Sequence, residues 1–144
     1  MIKERVEERL RLYLHNLDTI NELETELDFI DKDLGAKGIA YDSISTATTN
    51  VISDTTHNKA MQRIGQSKGI EIRIKHLKDE NKRIDKALSI LPDRQRQVIE
   101  LYYISNLPLH LVAKKIGKSI PTAERDKRKA LDTIIKSEIM RVNQ

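Results

Sequence analysis

The sequence predicts an all-α protein in which long N-terminal helices, forming a hairpin or a coiled coil, precede a trihelical helix-turn-helix domain. Three observations carry that prediction. Apolar residues recur at steps of three and four over most of the chain, the spacing of one helix face. Pro92, Pro108 and Pro121, all three prolines, fall in the C-terminal third, each where a helix should begin. The 144 residues are 38% hydrophobic and 33% charged, enough for apolar stripes but not for a thick core. The expected division is an assembly region over 1–91 and the helix-turn-helix domain over 92–144.

Residues 2–34 hold neither Gly nor Pro, and Val6, Leu10, Tyr13, Leu17, Ile20, Leu27 and Leu34 lie at helical steps. Leu14, Leu23 and Ile30 widen this stripe, so one long amphipathic helix is expected, stopped at Gly35. Residues 35–58 lose the apolar period and turn rich in Ser, Thr and Asp, which compete for backbone hydrogen bonds. They read as a connector, with Asp54 as N-cap of a second long helix from about 55 to 91. Gly65 and Gly69 weaken that helix by about 1 kcal/mol each relative to Ala.

Beyond Gly69 the steps are regular. Ile70, Ile74, Leu77, Asn81, Ile84, Leu88 and Leu91 alternate four and three, which puts Asn81 at an a position among apolar neighbours. A lone a-position Asn fixes register and strand number at a cost in stability. This stripe either packs on the first helix or forms a seam between chains, and both hold if a homodimer builds a four-helix core. The candidate oligomerisation residues are Ile70, Ile74, Leu77, Asn81, Ile84 and Leu88.

Charge is divided along the chain. Residues 1–58 carry 6 basic and 12 acidic side chains (−6), 59–90 carry 9 and 4 (+5), and 91–144 carry 11 and 6 (+5). The overall +4 therefore conceals an acidic front and a basic rear suited to a polyanion.

The rear contains the chemistry. In LHLVAKKIGKSIPTAERDKRKA (109–130), Val112 and Ile116 face a core, and Ala113 allows two helices to cross closely. Gly117 can adopt the left-handed turn, Ser119 caps the next helix, and Ala123 returns to the crossing. These features spell a helix-turn-helix. Its second helix would enter the major groove of double-stranded DNA with Pro121, Thr122, Arg125, Arg128 and Lys129 outward. Lys114, Lys115 and Lys118 surround the turn, where phosphates would pass. The full candidate set is Lys114, Lys115, Lys118, Ser119, Ile120, Pro121, Thr122, Glu124, Arg125, Arg128 and Lys129, with Arg125 placed for a bidentate guanine contact.

LPDRQRQVIELYYISNLPLHLVAKKIGKSIPTAERDKRKALDTI resembles region four of bacterial sigma factors, in its LP-x-R-x-R-x-V opening, its A-x-x-x-G and its basic ending before Ala-Leu. With GIAYDS (38–43), SDTTHNKA (53–60) and IDKAL (84–88), it also resembles small sigma-like regulators of Gram-positive phages and prophages, near the RinA and ArpU late-gene types. The resemblance implies a transcriptional regulator that activates late or packaging genes in the bacterial cytoplasm and touches RNA polymerase. Two features depart from the pattern. Lys118 and Asp126 stand at positions that are usually apolar, so Asp126 needs a partner such as Arg94 or Arg96. Ile120 and Pro121 replace a charged base-reading pair, so recognition of the usual −35 sequence is not expected. Without a core-polymerase-binding region, the chain is not expected to act as a sigma factor alone.

Other classes find little support. No Cys is present, so thiol chemistry, disulfides and zinc fingers are excluded. His15, His57, His76 and His110 are scattered without metal-ligand spacing, and no Gly-rich phosphate loop occurs. No enzyme activity, cofactor or metal is expected. No apolar run reaches a membrane span, and MIKERVEERLRL lacks the apolar core of a signal peptide. Two alternatives use the same helices, a small-terminase-like packaging protein and a helical protein adaptor.

Overall fold

The structure, a computed structural model, describes the backbone of residues 2–44 and 53–141, and the side chains of 2–32 and 58–141. Every regular element among them is helical: α1 (Ile2–Arg11), α2 (Tyr13–Ile44), α3 (Ser53–Ser89), α4 (Asp93–Ile99), α5 (Leu109–Ile116) and α6 (Ile120–Ser137). A π-helical turn, Glu100–Ile104, extends α4. Met1–Leu17 with Lys78–Gln144 form one compact unit and Asp18–Leu77 a second.

The single helix expected over 2–34 is interrupted. The Leu12 N–H is shared between the Glu8 and Arg9 carbonyls at 3.1 and 3.2 Å, a tightened turn that separates α1 from α2. Asn16 and Leu17 both lie at helical steps from Tyr13 and Ile20, and the buried place goes to Asn16, whose amide meets Asn81. Asn16 is 6% exposed where the stripe predicted Leu17, which is 39% exposed. Past the expected stop at Gly35, α2 continues to Ile44, and α3 begins at Ser53. Glycine lacks the side chain that would force a stop, and the αL conformation that ends a helix is only one of those open to it. The remainder of the predicted connector, 45–52, lies outside the described residues, as does the side chain of Asp54. Gly65 and Gly69 are both passed without a break in α3.

In the first unit, α1 packs against α6 and the π turn. Val6 and Leu10 join Ile84, Leu88 and Leu91 from α3 and its end, Ile99 of α4 and Tyr103 of the π turn, and Leu131, Ile134 and Met140 from α6 onward. Leu10, Ile84, Leu131 and Ile134 are at most 1% exposed, each contributing about 1.5–3 kcal/mol by burial. Polar clamps flank this core. Arg9 makes a bidentate pair with Glu80 (2.5 and 2.9 Å) and also donates to the Met140 carbonyl. Tyr13 donates to Asp85 at 2.8 Å, and burial followed by that carboxylate pushes its hydroxyl up to about 12. Asn16 donates to the Asn81 side-chain oxygen at 3.1 Å, while the Asn81 amide donates to the Tyr13 carbonyl at 3.3 Å.

In the second unit, Ile20, Leu23 and Ile74 form a small buried cluster, with Leu27, Ile70 and Leu77 half-buried around it. Four of the six residues expected along the seam are therefore buried within one chain: Ile74 here, and Asn81, Ile84 and Leu88 in the first unit. Ile70 and Leu77 pack beside Ile74.

Candidate nucleic-acid interface

The turn between α5 and α6 follows from two residues. Gly117 takes φ 70° and ψ 32°, the left-handed conformation that L side chains resist. This lets the Lys118 N–H reach the Ala113 carbonyl (3.0 Å) and the Gly117 N–H the Lys114 carbonyl (3.2 Å), the two bonds of a Schellman stop. Two residues later Ser119 caps α6, its hydroxyl accepting from the Thr122 N–H at 3.4 Å and lying 2.9 Å from the Thr122 hydroxyl. Pro121 occupies the first turn, where its missing N–H leaves no bond unmade.

Small residues set the crossing. Val112, Ala113 and Ala123 are at most 2% exposed, as is Val98 on α4, and α4, α5 and α6 pack mutually. On α6 the buried face is Ala123, Asp126, Ala130, Leu131 and Ile134. Asp126 is 3% exposed, and its partner is Arg94 of α4: Nη2 donates to Oδ1 at 3.1 Å and Nε lies 2.7 Å from Oδ2. Arg96, the other candidate, pairs with Asp93 at 2.7 Å. This ion pair ties the start of α4 to the second turn of α6.

The opposite face of α6 is open. Pro121, Arg125, Arg128 and Lys129 are exposed, as are Ile120 beside them and Lys114, Lys115, Lys118 and Ser119 around the turn. Thr122 and Glu124 are half-buried. The cations are not equivalent. Glu124 holds Lys127 and Arg128, each at 3.2 Å. Partial burial works against the Glu124 charge, but these two cations outweigh it and lower its carboxyl below the usual range. Lys127 is turned inward, its ammonium 4.5 Å from the centre of the Tyr102 ring, a cation–π contact. Arg125 and Lys129 make no ion pair with any described residue, and neither do Lys114, Lys115 and Lys118. Within the α4–α6 bundle, the cations without an ion pair to a described residue thus lie on α6 and around the turn.

The π turn positions Tyr102 for that contact. The Ser105 N–H bonds to the Glu100 carbonyl at 2.8 Å, an i to i−5 bond that inserts one residue into the helical spiral. Tyr103 is thereby buried to 1% exposure and Tyr102 lies edge-on to it, with ring centres 4.8 Å apart. Burial, with the Glu7 carboxylate nearby, raises the Tyr103 hydroxyl. The sequence offered no signal for this insertion, because every residue of ELYYI except Glu100 suits an apolar face in either register. Among the described residues, no group of three His, Cys, Asp or Glu could hold a metal ion, and no helix is long and apolar enough to cross a membrane.

This geometry has a counterpart among known families. Residues 87–134 match the family Sigma-70, region 4. The chain therefore carries a sigma-region-4-like helix-turn-helix domain, built from the end of α3 through α6. Region 4 of sigma-70 is a DNA-binding domain that also contacts RNA polymerase. No curated protein and no solved structure matches the chain. The match includes Arg94, Asp126 and the whole candidate DNA-contacting set, whereas α1, α2 and most of α3 lie outside it.

Proposed function

We propose that the chain is a sequence-specific double-stranded-DNA-binding transcriptional regulator that lays α6 in the major groove. The observation that carries this reading is the pairing of a Gly117–Ser119 turn with an α6 face whose free cations, Arg125 and Lys129, project to solvent. Arg125 reads a base edge, and the three lysines about the turn hold phosphates. The likeness to region 4 supports contact with RNA polymerase, and hence activation. The likeness of its sequence to phage regulators supports late or packaging genes as the targets, in a bacterial cytoplasm.

The test is equilibrium binding to duplexes selected from a random pool. Affinity should fall linearly with salt on a logarithmic plot, because phosphate contacts release counterions. Arg125→Ala should cost about 1–3 kcal/mol at the selected site and relax preference there, leaving the salt slope nearly intact. Lys115→Ala should instead reduce the slope by about one and weaken all sequences alike. Binding without salt dependence, or unchanged discrimination in Arg125→Ala, overturns the proposal.

A further inference from the structure

The first unit has a second positively charged feature, lined by none of the candidate DNA-contacting residues. Between α1 and the end of α6 lies an open cleft of about 1130 Å³. Its floor is apolar, with Val6, Ile135 and Ile139, and its walls carry Arg5, Arg9, Arg83 and Arg141 against a single carboxylate, Glu138. Arg9 is engaged by Glu80, and Arg141 answers Glu138 at 2.9 Å. Arg5 and Arg83 are exposed and make no ion pair with any described residue. Ligand pockets usually enclose about 300–1,000 Å³. This one is larger and open to solvent, suited to a helix face with acidic and apolar side chains.

Such a face exists on the same chain. On α2, Asp18, Glu22, Thr25 and Phe29 are spaced by four, three and four, so they share one side, and all are exposed. Phe29, the only Phe in the sequence, is 73% exposed, the most of any large hydrophobic residue described. Asp28 is held by Lys32 at 3.1 Å, while Asp18 and Glu22 make no ion pair with any described residue. A two-fold interface needs a surface complementary to itself. One chain that carries both a basic apolar cleft and an acidic helix with an aromatic anchor offers complementary patches for a reciprocal contact between two copies.

We propose that the protein self-associates as a two-fold dimer in which the cleft of each copy, through Arg5 and Arg83, receives the Asp18–Phe29 face of its partner's α2. Opposite charges set the orientation and Phe29 fills the apolar floor. The surface is distinct from the Ile70–Leu88 stripe, whose residues are taken up within the chain. The inference does not rest on the DNA-binding reading, and its test contains no DNA.

The experiment is a charge exchange on the full chain, with mass read by sedimentation equilibrium and folding checked by circular dichroism. Wild type should sediment at twice the chain mass. Arg5→Glu with Arg83→Glu should sediment at the chain mass, and so should Asp18→Lys with Glu22→Lys. All four positions are exposed, so both variants should keep the wild-type helical spectrum. Mixing the two in equal amounts should restore the dimer, because each cleft again faces a helix of opposite sign. A monomeric wild type overturns the proposal. So does a variant that stays as dimeric as wild type, or a mixture of folded variants that stays monomeric.

Discussion

The reading head and the contact between α2 and α3 each bury one polar pair, and the two pairs are built from different chemistry. In the head, Arg94 and Asp126 bring opposite formal charges together, with the carboxylate 3% exposed and the guanidinium side chain 51% exposed. Between α2 and α3, Asn16 and Asn81 are neutral and both buried, at 6% and 5%. An unpaired buried charge is far more costly than an unpaired buried amide, because an amide has only a dipole to desolvate. The head is therefore committed to its partner, whereas the α2–α3 contact uses its pair mainly to choose one register among apolar alternatives.

Removing one partner from each pair should expose that difference. Arg94→Ala leaves Asp126 charged and enclosed, and the expected loss is about 3 kcal/mol, the low end for a buried pair because the guanidinium already meets water. Arg94→Met combined with Asp126→Leu should recover most of it, since matched apolar groups often replace a buried ion pair without loss. Chemical denaturation of the three proteins checks this, and a single variant no worse than the double would show that Asp126 is relieved in another way. At the other pair, Asn81→Leu deprives the Asn16 amide of its acceptor and the Tyr13 carbonyl of its donor, for about 2 kcal/mol. Asn16→Leu with Asn81→Leu should return to near wild-type stability, with a less well-defined register visible as broadened amide resonances. If Asn81→Leu cost as much as Arg94→Ala, formal charge would not be what separates the two sites.

The two pairs also differ in how far the sequence reveals them. Asp126 announces itself by breaking the Ala123–Ala130 face of a helix whose start is fixed by Ser119 and Pro121, so both its burial and its need for an arginine follow from spacing alone. Asn81 is equally plain within the four-three stripe. Asn16 is not, because Asn16 and Leu17 both lie one helical step from Tyr13 and from Ile20. Choosing by hydrophobicity keeps Leu17 in the stripe and sends Asn16 to solvent. The packing of α1 on α6 is also hidden, because Val6 and Leu10 signal only that a partner exists. In the head, caps and turn residues locate the candidate interface almost completely. The Glu124 pairs with Lys127 and Arg128 follow from their three- and four-residue spacing along α6, whereas the Lys127–Tyr102 contact does not, because it depends on the π turn.

The smallest effect concerns the turn that joins the two helices of the motif. Gly117 sits at φ 70°, yet a methyl group placed on it would meet nothing within 4 Å. Only backbone strain therefore opposes a side chain there, not a clash. Gly117→Ala should cost about 1 kcal/mol, the ordinary penalty for an L residue in the left-handed region. Gly117→Asn should cost less, because its short polar side chain tolerates that region. Thermal unfolding should rank the three proteins Gly, Asn, Ala, with DNA affinity unchanged well below the transition because the helix crossing is untouched. A loss in Gly117→Ala as large as that of Arg94→Ala would mean that the Schellman bonds at Lys118 and Gly117 fail with the glycine. The turn would then hold the head together as firmly as its ion pair does.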